Sequence, residues 1–499
     1  MDTDTAITMN TGSTFPQIRS KLHLSAVPEN DCRGNDAGTS HVNRTNSPPG
    51  EHPAILVGFL LAASLVCVAQ ISGNQWLILF SLLCCVAVIS LACRVGMTIH
   101  AALFFLPWSP LMKLTPDSSS FFTVALLLCC GLALIQCRMR LSVSQVLLCA
   151  CLAALTLTAK ILQNGSLSNG YLVWLVMLLL FPCVTRGIAS TVSFRSVTLF
   201  FACGIVAAVV WARLTAHLPN ISRYIIVTNY QSVLRFAGFY GDPNFYSAHI
   251  TACLAGILVL LKCETVRIRQ VWLSLVAVIL LYCGLLSGSK TYAVVVVCLC
   301  LLWLPLLIGT GMEPVERKAQ RHLLAGLVCA VILIAFSPPF QTLIANAYKR
   351  FTEVPQLSGL TTGRTDIWLE YWHGFEDNIL LTLFGAGYTD VNLFRKSSHN
   401  TIVQAVYQFG IVGIPLFAAW LICMLAGMFP NGRFPHADRK ATVLLCAGAM
   451  LPWLSLDILL IDEIFLIPVY VMLGIAYASG SGGVTTADAI CYREKDPTD

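Results

Sequence analysis

The sequence predicts an all-α fold, a polytopic integral membrane protein of about 12–14 transmembrane helices. Three observations predict it. Hydrophobic residues make up 57% of the 499 and charged residues only 11%, where a soluble domain carries about 25% charged residues, and mean hydropathy is +0.75. The apolar residues are gathered into blocks, and roughly 20 helical residues suffice to cross about 30 Å of hydrocarbon. Lys and Arg fall unevenly between alternate loops, as they do in an oriented bundle. A soluble globular chain is excluded, and the modest net charge of +6 gives no footprint for nucleic acid.

The elements follow in chain order. Residues 1–52 are rich in Ser, Thr, Asn, Asp and Gly and end near Pro48-Pro49-Gly50. They cannot bury enough surface to offset their ordering entropy and read as a disordered cytoplasmic tail. A signal peptide would need its apolar region much nearer Met1, so no cleavage is expected. Apolar blocks then occupy 53–72, 75–93, 97–112, 120–136, 141–159, 171–185, 196–213, 244–261, 271–287, 292–308, 322–338, 400–428, 441–456 and 464–478. This divides the chain into N-terminal transmembrane helices (53–213), a core with two long polar loops (214–428, loops 214–243 and 339–399), C-terminal helices (429–478) and a second cytoplasmic tail (479–499). Most of the 21 cysteines lie inside apolar runs, as at Cys84-Cys85 and Cys129-Cys130, where a thiol is a small hydrophobe rather than a metal ligand or half of a disulfide framework.

Orientation comes from the basic residues. With the N-terminus inside, the inner loops carry Arg94, Arg138, Arg140, Arg186, Arg195, Lys262, Arg267, Arg269, Arg317, Lys318, Arg321, Arg433, Arg439 and Lys440, whereas the short outer loops carry Lys113, Lys160 and Lys290. The bias places both termini inside and both long polar loops on the outer face. Loops of that length are kept where they do something, since short turns suffice to join helices.

Three stretches at the outer face carry chemistry. The first runs from Arg235 to Asn244, with Gly238 and Gly241 before Asp242-Pro243-Asn244. Asp242 and Asn244 have a capping reading, side-chain oxygens closing the orphan amides of the next helix, and a substrate-binding one; Arg235 beside a membrane helix calls for an anion or water. The second is Ser287-Gly288-Ser289-Lys290-Thr291, either a polar turn with a snorkelling lysine or a cationic contact to substrate, with Ser289 alongside. It lacks the glycine spacing of a P-loop, so nucleotide binding is not indicated.

The third and richest runs from Thr361 to Gly413: Gly363-Arg364 followed by Trp368, then Gly385-Ala386-Gly387, then Ser397-Ser398-His399-Asn400 and Gly410 to Gly413. Trp368, Tyr371 and Trp372 share one helical face, the pattern of an interfacial helix with belt aromatics. His399 reads either as a solvated cap residue or as a general base whose ordinary pKa lies close to working pH. Three cations, Arg235, Lys290 and Arg364, thus join one titratable base on the same side of the membrane. Cations of this kind suit a phosphate or diphosphate, which Arg grips bidentately.

The order of these motifs resembles the bacterial O-antigen ligase and polymerase (WaaL/Wzy) superfamily, over about residues 194–428 by motif and over the whole chain by hydropathy. The resemblance implies a GT-C-like helical glycosyltransferase of the bacterial inner membrane, with a long periplasmic loop. Such an enzyme moves a glycan en bloc from an undecaprenyl-diphosphate carrier to an acceptor hydroxyl at the periplasmic face, with inversion and with neither metal nor other cofactor. It further implies that Arg235 and Arg364 grip the diphosphate and that His399 activates the acceptor, with Lys290, Asp242, Asn244, Ser289, Asn400 and Trp368 lining the substrate. Lys290 stands where the family often has Arg, so a point-charge contact replaces a bidentate one. Partners implied are the lipid-linked glycan donor, a glycan or lipid A-core acceptor, the bilayer, a flippase and a chain-length regulator; no nucleic acid is involved. The Asp-Pro-Asn element and the length lean toward a polysaccharide repeat-unit polymerase, with O-antigen ligase, or transfer to a protein hydroxyl, as alternatives. A multi-span transporter is the rival from another class. No internal repeat supports it.

Overall fold

The computed structural model describes residues 53–115, 118–136, 142–162, 169–225, 227–230, 233–307, 341, 345, 348, 363–388, 397–429, 432–434 and 437–480. The predicted tail 1–52, the predicted span 322–338, parts of the loop 339–399 and all but the first two residues of the predicted tail 479–499 lie outside the described residues. What is described is a helical bundle: α1 (Pro53–Ser72), α2 (Gln75–Arg94), α3 (Thr98–Phe105) extended by a 3₁₀ turn (Leu106–Trp108), α4 (Phe121–Gln136), α5 (Val143–Leu162), α6 (Asn169–Thr185), α7 (Phe194–Thr215) and the short α8 (Pro219–Ser222). A hairpin of β1 (Val227–Tyr230) and β2 (Val233–Phe236) follows, antiparallel with Val227 opposite Phe236. Then come α9 (Pro243–Cys263), α10 (Arg267–Leu285), α11 (Lys290–Leu307), α12 (Arg364–Asp377), α13 (Ile379–Phe384), α14 (Thr401–Gly427), α15 (Arg439–Met450), a 3₁₀ turn (Leu451–Ser455) and α16 (Glu463–Ala478).

Eight of these helices are long and apolar enough to cross a membrane (α1, α2, α5, α6, α7, α9, α10 and α14), and α3, α4, α11 and α16 are shorter apolar helices. This is the all-α multi-pass membrane protein that the composition predicts. Two departures have local causes. The polar stretch 214–243 folds back as a hairpin whose Phe236 amide donates to the Leu286 carbonyl at the end of α10 (3.0 Å), so it is an ordered cap on the bundle. The predicted span 441–456 is interrupted at Pro452, which lacks the amide an α-helix would need there, and its last turns form the 3₁₀ segment.

Helix α9 is the axis of the bundle. Of its apolar window 94% is buried, against 28–56% for the other seven long helices. With little hydrophobic drive between helices inside a bilayer, close approach depends on small residues. At Gly448 of α15 an added Cβ would stand 2.4 Å from the Ala255 Cβ and 2.7 Å from the Thr251 carbonyl, so that helix lies directly on α9. On the other flank, Trp174, Phe409, Phe417 and Trp420 stack in series with centroids 5.7, 5.1 and 5.7 Å apart, joining α6 to α14. Trp174 Nε1 also donates to the Leu459 carbonyl (3.1 Å), which fixes the segment leading into α16.

Lys160 departs from its expected place in a short outer loop. It is the last basic residue of α5, 6% exposed, and its ammonium donates to the Tyr388 carbonyl.

Candidate active site

Two corners of the bundle converge at the N-terminal end of α9. The first is built around Asn244. Asp242 caps α9, its carboxylate accepting from the Asn244 amide (2.7 Å), which realises the capping reading for Asp242. Asn244 does not cap: its amide oxygen accepts from Arg235 Nη2 (3.3 Å) and Ser289 Oγ (2.8 Å). Arg235 Nε reaches the Ser287 carbonyl (3.3 Å). One side-chain oxygen therefore ties the hairpin, α9 and the α10–α11 turn together, and it brings Lys290, the first residue of α11, to the same corner.

The second corner is built around a residue the motif reading did not single out. Asp457 accepts from the hydroxyls of Ser397 and Ser398 and from the backbone amides of His399 (3.0 Å) and Asn400 (3.1 Å). A carboxylate held by four donors is a strong anchor, since each is a charge-assisted bond. The anchored loop puts His399 at φ 47, the one non-glycine residue with positive φ among the described residues. Such a conformation costs about 1–3 kcal/mol and persists only where its surroundings impose it. Trp368 Nε1 adds a bond to the Ser398 carbonyl (2.9 Å). Asn400 takes the cap role, accepting from Ile402 N (2.9 Å) and Val403 N (3.3 Å), so that its side chain is engaged by α14 and the imidazole of His399 is not a cap.

The expected aromatic belt on α12 is only partly one. Trp368 buttresses the His399 loop, and Tyr371 is buried with its ring edge-on to Tyr407 at 5.3 Å; Trp372 is the exposed member of the three.

Arg364 links the corners. It opens α12 after Gly363 and is half-buried; burial pushes its guanidinium pKa down, and the carboxylates of Asp242 and Asp457 oppose that shift. Both acids thus act on one cation, one from each corner. Arg235, Asp242, Asn244, Ser289 and Lys290 meet at the first corner, Trp368, His399 and Asn400 at the second, and Arg364 feels both.

The two glycine motifs form one device behind the second corner. Gly410 has φ 63 inside α14 and breaks the helix there. The break frees the carbonyls of Tyr407 and Gln408, which accept from the amides of Ala386 (2.7 Å) and Gly387 (3.0 Å). Gly385 lies so close that an added Cβ would be 2.5 Å from the Gln408 carbonyl. The Gly385–Gly387 turn is thereby locked onto α14, and with it the direction of the segment that starts at Asn400.

Asp457, like Asp462 and Glu463 close by, had one signal in the sequence, an acid between two apolar blocks. Ionisable groups in such places are functional candidates by default.

Residues 275–418 match the family model described as O-antigen ligase. Over this stretch the chain is similar to the O-antigen ligase and polymerase superfamily. The match takes in Ser289, Lys290, Arg364, Trp368, His399, Asn400 and both glycine motifs; Arg235, Asp242, Asn244 and Asp457 lie outside it and reach the site through the contacts above. Comparison with curated proteins finds none that matches the chain. The matched stretch supports a function of the O-antigen ligase and polymerase type in a multi-pass membrane protein.

Proposed function

We propose that this protein is a polysaccharide repeat-unit polymerase that moves an oligosaccharide en bloc from an undecaprenyl-diphosphate carrier to a sugar hydroxyl, at the periplasmic face of a bacterial inner membrane. The observation that carries the reading is the gathering of Arg235, Asn244 and Ser289 at the start of α9 together with a His399 loop held by Asp457. Arg235 and Arg364 hold the diphosphate, and Lys290 adds a point charge. The acceptor hydroxyl, deprotonated by His399, attacks the anomeric carbon from the face opposite the diphosphate. The new C–O bond forms as the bond to the leaving phosphate oxygen breaks, the configuration inverts, and the proton remains on His399 until the site exchanges with solvent. A lipid diphosphate is already a good leaving group, so fixed cations and placement of the hydroxyl supply most of the catalysis without a metal ion.

The two aspartates have a supporting role in this scheme. Asp242 is occupied by the α9 cap and Asp457 by the loop donors, so both keep Arg364 charged and oriented while leaving the diphosphate to the guanidinium. The gathering of these groups at one end of α9, with none of them at its middle, supports transfer at a membrane face over transport through the bundle.

The match to an O-antigen ligase description favours a second reading, transfer of the finished glycan to lipid A-core. Purified protein in lipid nanodiscs, given lipid-linked repeat units alone, separates the two. Chain extension without another acceptor identifies a polymerase; extension only when lipid A-core is added identifies a ligase. Absence of both products, with folded protein, overturns the reading.

A further inference from the structure

Beside the site a cleft of about 640 Å³ opens between the starts of α4, α6, α9 and α16, within the roughly 300–1,000 Å³ of small-molecule pockets. Tyr240 and Phe245, which flank the Asp242–Asn244 cap, and Asp462 and Glu463, which follow closely on Asp457, all line it. The cleft therefore borders both corners.

Its chemistry differs from theirs. Thr123 donates to Asp462 (2.7 Å), and burial pushes that carboxyl up to about 7, with Thr123 opposing and Glu463 adding to the shift. Glu463 stands 3.3 Å from His249 Nε2. His249 is 3% exposed, its Nδ1 has no partner among the described residues, and neither does the shielded hydroxyl of Tyr240, whose ring packs on the imidazole at 4.7 Å. Asp462 and Glu463, set against Lys113, leave the lining without the excess of cations a diphosphate requires, and a bare isoprenoid chain needs neither acids nor hydroxyls. Sugar rings suit such a lining, since the carboxyls of Asp462 and Glu463 and the hydroxyls of Ser118, Ser119 and Ser120 can bond to sugar hydroxyls.

We propose that this cleft is the binding site for the acceptor's sugar rings, held by Asp462 and Glu463 and by Ser118, Ser119 and Ser120 at its rim, with the reactive hydroxyl delivered toward His399. The assignment rests on the transfer reading above.

The test uses the full-length protein in nanodiscs and two probes, the free oligosaccharide released by mild acid from the host's own lipid-linked repeat units, and undecaprenyl diphosphate without sugar. In Asp462→Asn and Glu463→Gln, binding of the oligosaccharide falls about tenfold or more, as expected when buried hydrogen bonds to a ligand are lost, while binding of undecaprenyl diphosphate is unchanged. Ser119→Trp, which fills the mouth of the cleft from an exposed position without touching the acids, reproduces the result should either acid variant fold poorly. Loss of undecaprenyl diphosphate binding instead would show that the cleft holds the carrier, and unchanged binding of both probes would show that it holds neither; either outcome overturns the proposal. A wild-type protein that binds the lipid diphosphate but no saccharide, and transfers none, would overturn the transfer reading itself.

Discussion

The two ends of α9 are about 30 Å apart, at 1.5 Å per residue, and they handle charge in opposite ways. At the C-terminal end the acids pair directly with bases: Arg195 with Glu264 at 2.8 Å and Lys262 with Asp438. At the N-terminal end Asp242 and Asp457 bind backbone amides and hydroxyls, and the arginines bond to neutral oxygens or feel the acids from a distance. A direct ion pair satisfies a guanidinium and removes it from chemistry. Carboxylates engaged elsewhere keep a cation charged by their field without covering it, which is what a site for a phosphorylated ligand requires. The difference in pairing, rather than the number of charges, separates the working end from the scaffold end.

The largest expected effects follow from removing what the working end holds ready. Arg364→Ala and His399→Ala, expressed at normal levels, lower product formation by roughly 100- to 10,000-fold, the usual cost of a lost charge stabiliser or general base. Arg364→Lys keeps the charge but not the fork and loses about tenfold. Gel analysis of polysaccharide and turnover of purified protein check both; long-chain product from His399→Ala would remove the base from the mechanism. Asp457→Ala comes next, with a loss of about 100-fold. It touches neither proposed substrate, yet four donors lose their acceptor and the loop that holds His399 at positive φ keeps only the Trp368 and Thr401 contacts. Hydrogen exchange at residues 397–400 rises in parallel if the anchor is the cause, and an unchanged exchange rate would show that it is not.

Gly410→Ala ranks third. Its Cβ would stand 2.3 Å from the Leu383 carbonyl at a backbone angle that disfavours side chains, at about 1–3 kcal/mol. Thermal stability in detergent and turnover fall together, because the kink aims the segment that follows Asn400.

Most of this end was legible in the sequence, and the reasons are physical. Block length gave the helices because a bilayer fixes the number of residues needed, and the motifs around Arg235, Lys290, Arg364 and His399 pointed to side chains that the fold places around one end of α9. Asp457 escaped because its value lies in four contacts across more than 55 residues of chain, and no local spacing encodes them. The capping reading held for Asp242 and not for Asn244 for the same reason: the cap is local, while the partners of Asn244 arrive from β2 and from the α10–α11 turn. The glycine motifs were visible as motifs, but only the fold shows that one carries the amides and the other the carbonyls of a single joint.

The smallest effect belongs to the scaffold end, and it tests the division from the other side. Asp438 caps α15 through the amides of Lys440 and Ala441 and pairs with Lys262. Burial would raise its pKa, but Lys262 and those amides outweigh it and hold the carboxyl below its usual range. A depressed carboxyl contributes stability above its unfolded pKa, near 3.9, and loses that contribution as pH falls through the lower folded value. Asp438→Asn keeps a good cap residue and removes only the charge, so the melting temperature in detergent drops slightly at pH 7, by less than about 1 kcal/mol in stability. The gap to wild type closes as pH falls below about 4. Turnover at pH 7 stays within about twofold of wild type, since a partly exposed ion pair is worth little and the site lies beyond the reach of its screened field. A loss of turnover near that of Arg364→Ala would mean that the two ends are coupled and that the ion pairs of the scaffold belong to the mechanism.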